Sequence, residues 1–167
     1  MFKEISVEEL NFNPFTKIGK DWMLVAAGDE SGYNMLTASW GGVGILWGCN
    51  TVTTYIRQSR YTKKFIDSNN KFTLSFFGDE YKKSLSICGS VSGRDCDKAK
   101  EANITPYFTD GTTAFNEAEM IIVCSKIYED FMPAENFTDK SADEKFYKDK
   151  DYHTMYIGKI EKILIKE

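Results

Sequence analysis

The sequence is poor in the residues that build metal centres, disulfide scaffolds and rigid turns. Its 167 residues include one histidine, three prolines and four cysteines. No two cysteines are spaced as Cys-x-x-Cys, and a single histidine cannot complete a typical zinc site, so we expect no metal centre. Scattered thiols are typical of a reducing compartment, where packing is their ordinary role. The cysteine pattern therefore favours a cytoplasmic protein.

A strong net charge and a long apolar run are also absent. Lys and Arg total 21 against 25 Asp and Glu, which gives a formal charge of −4. This balance argues against a barrel that binds nucleic acid through exposed aromatic side chains. The longest apolar runs, such as residues 120–124, are far shorter than the roughly 20 residues that a bilayer crossing requires. The first ten residues carry acidic side chains and no apolar core, so we expect neither a secretory signal nor a membrane partner.

Length and composition predict one globular domain that spans residues 1–167. The hydrophobic fraction of 42% and the aromatic fraction of 14% suffice for a real core. Period-two alternation and β-branched residues predict strands at 22–27, 34–40, 43–47, 51–57, 72–77, near 108, near 115, at 120–128 and at 152–165. We expect short helices at 61–68, after Asp79 and after Asp95. Because these elements do not alternate as regular β-α-β units, they favour a mainly β fold, a closed or split barrel with short inserted helices.

The motif Asn-Met-Leu-Thr-Ala-Ser-Trp at residues 34–40 is the first candidate binding segment. Side chains alternate along a strand, so Thr37 and Ser39 would face one side and Trp40 the other. The amide of Asn34 offers a donor and an acceptor together, as the edge of a pyrimidine-like ring requires. The glycine pair 41–42 would let the backbone approach a flat ligand closely. An amphipathic strand with its hydroxyls in solvent explains the motif about as well.

The motif Arg-Gln-Ser-Arg-Tyr-Thr at residues 57–62 is the second candidate. It lies where a predicted strand ends and a predicted helix begins, with Ser59 as the N-cap. Arg57 and Arg60 would oppose the helix dipole there unless an anion lay between them. Together with the hydroxyls of Ser59 and Thr62, the two guanidinium groups predict a site for a terminal phosphate monoester. The alternative is an ordinary capped helix with exposed arginines.

Two later features are ambiguous when they are considered alone. The Gly- and Ser-rich stretch at 88–98 could wrap a ligand or could simply join two helices. Cys88 has no neighbouring base in the sequence, so we do not expect a catalytic thiol. His153 is better explained, when it is considered alone, as an ordinary surface histidine.

Taken together, four segments resemble the flavin reductase-like family, close to the flavoredoxins. They are NMLTASWGGVG, YIRQSRYTKKFI, ICGSVSGRDCDK and DYHTMYIGKI, and both their order and their spacing match. The resemblance implies an FMN-binding split β-barrel of Greek-key type. It also implies a homodimer with the flavin near the subunit interface. At Leu36 relatives commonly carry methionine, which is similar in volume, so the packing should survive.

The resemblance further implies cofactor-binding roles for the residues that match the family motifs. The isoalloxazine ring and ribityl chain would be lined by Asn34, Met35, Leu36, Thr37, Ala38, Ser39 and Trp40. The phosphate side would be held by Arg57, Ser59, Arg60, Tyr61 and Thr62. Three later residues, Ser92, Lys98 and His153, match positions close to the flavin.

Two functions are compatible with this resemblance. In the first, an FMN-binding oxidoreductase transfers reducing equivalents from a reduced nicotinamide, NADH or NADPH, through bound FMN to an acceptor. In the second, a flavoredoxin-type electron-transfer flavoprotein is served by a redox protein such as ferredoxin and has no NAD(P)H activity. The absence of a Gly-x-Gly-x-x-Gly motif is compatible with the second. We expect no catalytic side chain in either case, because the flavin carries the chemistry.

Overall fold

The computed structural model describes all 167 residues and consists mainly of β-strands. The strands are β1 Phe2–Ile5, β2 Met23–Asp29, β3 Gly32–Ala38, β4 Gly41–Leu46, β5 Cys49–Arg57, β6 Lys71–Phe76, β7 Pro106–Thr109, β8 Thr112–Phe115, β9 Met120–Phe131 and β10 His153–Lys166. The α-helices are α1 Pro14–Thr16, α2 Thr62–Ser68, α3 Lys82–Ser90, α4 Lys98–Glu101 and α5 Lys140–Phe146. None of the helices has the length and apolar composition that a membrane crossing needs.

One antiparallel sheet dominates the fold, and β3 and β4 lie at its two ends. The strand order is β3-β2-β6-β9-β10-β5-β4, with β1 paired to β10, and β7 and β8 form a separate hairpin. Yet β3 ends at Ala38 and β4 begins at Gly41, so a two-residue connection joins opposite ends of the sheet. Consecutive Cα atoms lie about 3.8 Å apart, so this connection spans at most about 11 Å and the sheet must curl until its ends meet. The expected split barrel is confirmed, with Ser39 and Trp40 at the split.

The long strands β9 and β10 supply the bend that this curling needs. Their pairing shifts register between Ile157 and Gly158 and again between Ile160 and Lys162. Such irregularities bend a strand and increase its twist. A Cβ atom built on Gly158 would lie 2.6 Å from Cζ of Phe72. A side chain at this position would therefore push the strand away from the core.

The apolar core lies on both faces of the curved sheet. One cluster, which includes Val25 and Phe72, fills the inside of the barrel. A second cluster, which includes Leu24, Leu85 and Cys88, lies between the sheet and the helices α3 and α4. The middle of β2 is an unbroken apolar run because its successive side chains are buried on opposite faces.

The helix starts differ from the sequence-based expectations. The N-cap of α2 is Tyr61, which makes no side-chain capping bond, so the predicted cap at Ser59 is wrong. The cap of α4 is Asp97, which accepts a hydrogen bond from the backbone N–H of Lys100, whereas Asp95 had been expected. A short 3-10 turn at Asp79–Tyr81 precedes α3, and no side chain caps that helix.

Three elements were not expected and one is shorter than expected. The strand β1 and the helices α1 and α5 had no prediction. The strand predicted over 34–40 ends at Ala38, so Ser39 and Trp40 belong to the connection and do not continue the alternation of faces.

Candidate functional site

Two cavities meet at the split of the barrel, and Arg60 lines both of them. The split cavity, of about 220 Å³, is lined by Leu36, Thr37, Ala38, Ser39, Trp40, Tyr55, Ile56, Arg57, Arg60 and His153. The loop cavity, of about 190 Å³, is lined by Asn34, Ser59, Arg60, Tyr61, Thr62, Ser90, Val91, Ser92, Gly93, Arg94 and Lys98. Of the site residues predicted from the sequence, Met35 alone lines neither cavity.

Arg60 is the group with the most unusual environment at this site. Its Nη1 donates to the backbone oxygen of Gly89 at 2.9 Å, whereas its Nη2 is buried and has no hydrogen-bond partner. Burial lowers the pKa of Arg60, but a guanidinium group stays protonated in a protein. Leaving a buried charged donor unpaired costs at least about 1–3 kcal/mol. The Nη2 atom therefore lacks an acceptor that a bound anion would provide.

Lys98 brings a second buried cation to the loop cavity. Its Nζ donates to the backbone oxygen of Met35 at 2.6 Å, and the residue is 4% exposed. Burial, with the nearby charge of Arg60 as a smaller cause, lowers the pKa of Lys98 to about 8. The side chain of Met35 belongs to the apolar cluster between the sheet and the helices α3 and α4. Its backbone carbonyl accepts the hydrogen bond from Lys98 and so orients that side chain.

The wall of the loop cavity is formed by the segment 90–94 and fits closely against β3. A Cβ atom built on Gly93 would lie 2.3 Å from Oδ1 of Asn34, so this position excludes larger side chains. Asn34 in turn donates through Nδ2 to the hydroxyl of Thr62 at 3.0 Å. The guanidinium of Arg94 lies over the ring of Tyr61, with 4.8 Å from Cζ to the ring centroid.

Charge in the loop cavity has one sign. Its lining includes Arg60, Arg94 and Lys98 but no acidic side chain. Side-chain donors with three cations and no acidic side chain in the lining form a site for an anion, with the carboxylate of Asp151 lying behind Ser59.

Arg57 lines the split cavity together with Arg60 but does not line the loop cavity, so the expected convergence of the two guanidinium groups on one anion stays a prediction. Arg57 donates through Nη1 to the backbone oxygen of Asp151 and through Nη2 to that of Phe146, both at 2.8 Å. It also lies 3.4 Å from the carboxylate of Asp149.

Ser59 contacts the same segment as Arg57. Its N–H and hydroxyl both donate to the carboxylate of Asp151, at 3.0 and 2.5 Å. The first half of the motif 57–62 therefore fixes the segment 146–151, which borders the split cavity.

Aromatic side chains form one wall of the split cavity. Trp40 is 39% exposed and packs edge-on against Phe146, with ring centroids 5.2 Å apart. Its ring centroid is 5.1 Å from that of His153, which is buried. Nδ1 of His153 lies 2.7 Å from the hydroxyl oxygen of Tyr147. Burial, with a smaller contribution from the charge of Arg57, lowers the pKa of His153 to about 4, so the imidazole is neutral at pH 7.

The hydroxyl of Thr37 has a structural partner. It donates to the backbone oxygen of Leu85 and so ties β3 to α3. Ser39 lines the split cavity from the connection between β3 and β4.

Several lining residues had not been singled out from the sequence. Tyr55 lies two positions before Arg57 on β5, so the period of the strand could have indicated that both face one cavity. Arg94 and Gly93 lie within the Gly- and Ser-rich stretch, where no sequence signal distinguishes them. Phe146, which packs against the lining residue Trp40, comes from α5, which was itself not expected.

Comparison with known proteins identifies the family of this chain. Residues 15–167 match the family described as "Flavin reductase like domain". The chain belongs to this family. No curated protein sequence matches this flavin reductase-like chain.

Solved structures share the fold of this flavin reductase-like domain at low sequence identity. The flavoredoxin of Desulfovibrio vulgaris (Miyazaki F) is 21% identical, with a TM-score of 0.68 over 87% of this chain and 69% of that one. The flavoredoxin from Methanosarcina acetivorans is 17% identical, with a TM-score of 0.68 over 96% and 77%. The NADH:FAD oxidoreductase of Streptomyces globisporus C-1027 is 11% identical, with a TM-score of 0.67 over 87% and 75%.

Proposed function

We propose that this flavin reductase-like domain binds FMN across its two cavities and passes reducing equivalents from a reduced nicotinamide to an acceptor. The observation that carries the proposal is the buried Nη2 of Arg60, which has no partner and lies where the two cavities meet. Family membership supports a flavin ligand. The cationic loop cavity would hold the phosphate, and the split cavity would hold the ring.

Most of the specific contacts that we propose between the protein and FMN lie at the phosphate end of the cofactor. Arg60, Arg94 and Lys98 offer charged donors, and the hydroxyls of Thr62 and Ser92 lie in the same cavity. Charge-assisted hydrogen bonds contribute roughly 1.5–3 kcal/mol each. A dianionic monoester would satisfy Nη2 of Arg60 and balance the nearby charge of Lys98.

The wall that the segment 90–94 forms supports FMN over FAD. This segment lines the loop cavity, and Gly93 approaches Asn34 closely. A dinucleotide would need a passage through this wall for its second phosphate. The Streptomyces structure with the same fold is named for FAD, so the shared fold does not decide between the two flavins. The preference for FMN therefore rests on the segment 90–94 of this chain.

Residues of the split cavity bind and orient but do not transfer protons. A bound flavin supplies the electron-accepting ring. Trp40 and Tyr55 offer flat surfaces, and the neutral imidazole of His153 offers one hydrogen-bonding edge. With a pKa of about 4, His153 is a poor proton donor at pH 7. No side chain is assigned a catalytic role.

The second candidate is a flavoredoxin-type electron carrier that a redox protein such as ferredoxin reduces. Two solved structures with this fold are named flavoredoxins. The half-exposed Trp40 would let a protein partner approach the ring.

An apolar surface at the edge of the sheet supports the proposal of a homodimer. Ile45 and Trp47 are 72% and 61% exposed at the β4–β5 turn, and Trp47 packs against Tyr128 with ring centroids 5.8 Å apart. The outer edge of β4 has no strand partner. Edge strands of natural proteins are usually covered or carry charged side chains. A second copy of the chain would cover the edge of β4 and the apolar side chains beside it.

The visible spectrum of the purified protein tests the proposal. We expect a flavin spectrum that anaerobic NADH or NADPH bleaches within the time of turnover. Bleaching by reduced ferredoxin but not by either nicotinamide selects the electron carrier. A protein that takes up no FMN on reconstitution contradicts both candidates.

A further inference from the structure

A third cavity, of about 440 Å³, adjoins the split cavity and shares Ser39, Trp40 and Tyr55 with it. We propose that this side cavity binds a flat, uncharged, conjugated molecule that carries a carbonyl oxygen. The inference rests on the proposed function, because the adjoining split cavity is where the flavin ring would lie. It names a substrate class that the flavin site alone does not specify.

Two glycines that line the side cavity have no structural reason to be glycine. Neither Gly19 nor Gly42 has a positive φ, so any residue could adopt their backbone conformation. A Cβ atom built at either position meets no atom within 4 Å. Gly41 differs, because its Cβ would lie 2.8 Å from the backbone oxygen of Thr53. Packing explains Gly41, whereas the positions that side chains of Gly19 and Gly42 would fill are open and lie at the side cavity.

The walls of the side cavity suit a flat ring. Phe15 is 87% exposed and Trp40 is 39% exposed. Large aromatic side chains contribute most to stability and binding when they are buried, so these two rings present apolar surface that a ligand would cover. Ile18 reaches the cavity from a π-helical turn at Lys17–Asp21.

The polar groups of the side cavity select the kind of ligand. No lysine, arginine, aspartate or glutamate lines it, so it offers nothing to the phosphates of a dinucleotide. The hydroxyls of Ser39 and Tyr55 line the shared wall and have no hydrogen-bond partner within the chain. Two free hydroxyls in an otherwise apolar cavity suit a carbonyl oxygen on an uncharged ring.

Calorimetric titration of acetophenone into the FMN-loaded protein tests the proposal. We expect saturable binding to the native protein. Binding to Gly42→Leu, on β4, and to Gly19→Leu, in the π-helical turn, should be at least about tenfold weaker, because each adds a side chain to the cavity lining. Gly44→Leu is the matched control, because Gly44 lies on the same face of β4, is equally open and lies outside the cavity. We expect it to bind within about twofold of the native protein.

Each outcome of this titration supports or overturns the side-cavity proposal or the proposed function. Absence of saturable acetophenone binding, with FMN still bound, overturns the side-cavity proposal and leaves the flavin proposal standing. Equal losses in Gly42→Leu and Gly44→Leu also overturn it, since they point to a second copy that covers this face of β4. Failure to load FMN contradicts the proposed function, and acetophenone titrated into the flavin-free protein then tests the side cavity by itself.

Discussion

The loop cavity and the split cavity share Arg60 but differ in their walls and in the partners of their other cations. The loop cavity adds Arg94 and Lys98 and has a closely fitted wall at Gly93. The split cavity adds Arg57, which is paired with Asp149 and backbone carbonyls, and has aromatic walls, a neutral histidine and a half-exposed tryptophan. Under the proposed function, charge and shape would hold the phosphate end of the flavin in the loop cavity, while the ring end in the split cavity would stay accessible. Changes at each cavity should therefore have different effects.

The largest expected effect is on the charged end. Arg60→Ala should weaken FMN binding by about 10- to 150-fold, which corresponds to the loss of one charge-assisted contact of about 1.5–3 kcal/mol. Quenching of FMN fluorescence on binding measures the affinity. Lys64→Ala is the control, because it removes the same charge from an exposed position of α2 outside both cavities. Similar losses in the two variants would show that the overall field, and not Arg60, holds FMN.

The next effect tests the wall of the loop cavity. Gly93→Ala places a Cβ atom 2.3 Å from Oδ1 of Asn34, so either the Asn34 side chain or the segment 90–94 must shift. Overpacking of this kind costs about 1–3 kcal/mol, which should appear as weaker FMN binding, lower stability or both. Urea unfolding and FMN titration separate the two. Gly44→Ala, whose Cβ meets nothing within 4 Å, should change neither. An unchanged Gly93→Ala would mean that the wall is not tightly fitted.

A smaller effect is expected from pH. Burial lowers the pKa of Lys98 to about 8 in the flavin-free protein, against 10.5 ordinarily. A bound anion favours the protonated form, so FMN affinity should fall severalfold as the pH rises from about 7.5 to 9.5. The same lowered pKa means that the folded state disfavours the charged lysine, so flavin-free stability should rise over that window. Titrations at several pH values measure both trends. In Lys98→Met both should largely disappear, and an unchanged pH dependence in that variant would contradict the assignment.

The smallest effect is expected at the accessible end. His153→Ala should change the rate of flavin reduction by less than about tenfold, because a neutral imidazole with a pKa of about 4 transfers no proton at pH 7. Stopped-flow reduction of the FMN-loaded variant measures the rate. A loss of three orders of magnitude, on the scale of a removed catalytic group, would make His153 catalytic and end the division between the two cavities.

Local sequence patterns predicted most of the barrel. The hairpin of β2 and β3 follows from an apolar run, a turn at 29–32 and a second alternating run. The grouping of Asn34, Thr62 and Lys98 around one cavity came from the family resemblance, since no local pattern links positions so far apart.

Interactions between distant segments could not be predicted in the same way. Arg57 bonds to residues near position 150, and a sequence pattern at 57–62 contains no information about that partner segment. A helix start with two arginines therefore suggested a shared anion. In the structure, Asp149 and backbone carbonyls satisfy one arginine and leave Arg60 alone with an unpaired nitrogen.

The central claim is that the loop cavity binds the phosphate of FMN, and comparison of FMN with riboflavin tests it most directly. Calorimetric titration of the flavin-free protein with each compound measures what the phosphate contributes, since the two ligands are otherwise identical. The account predicts that FMN binds at least about tenfold more tightly than riboflavin, and that the difference largely disappears in Arg60→Ala. Equal affinities for FMN and riboflavin in the native protein would contradict it.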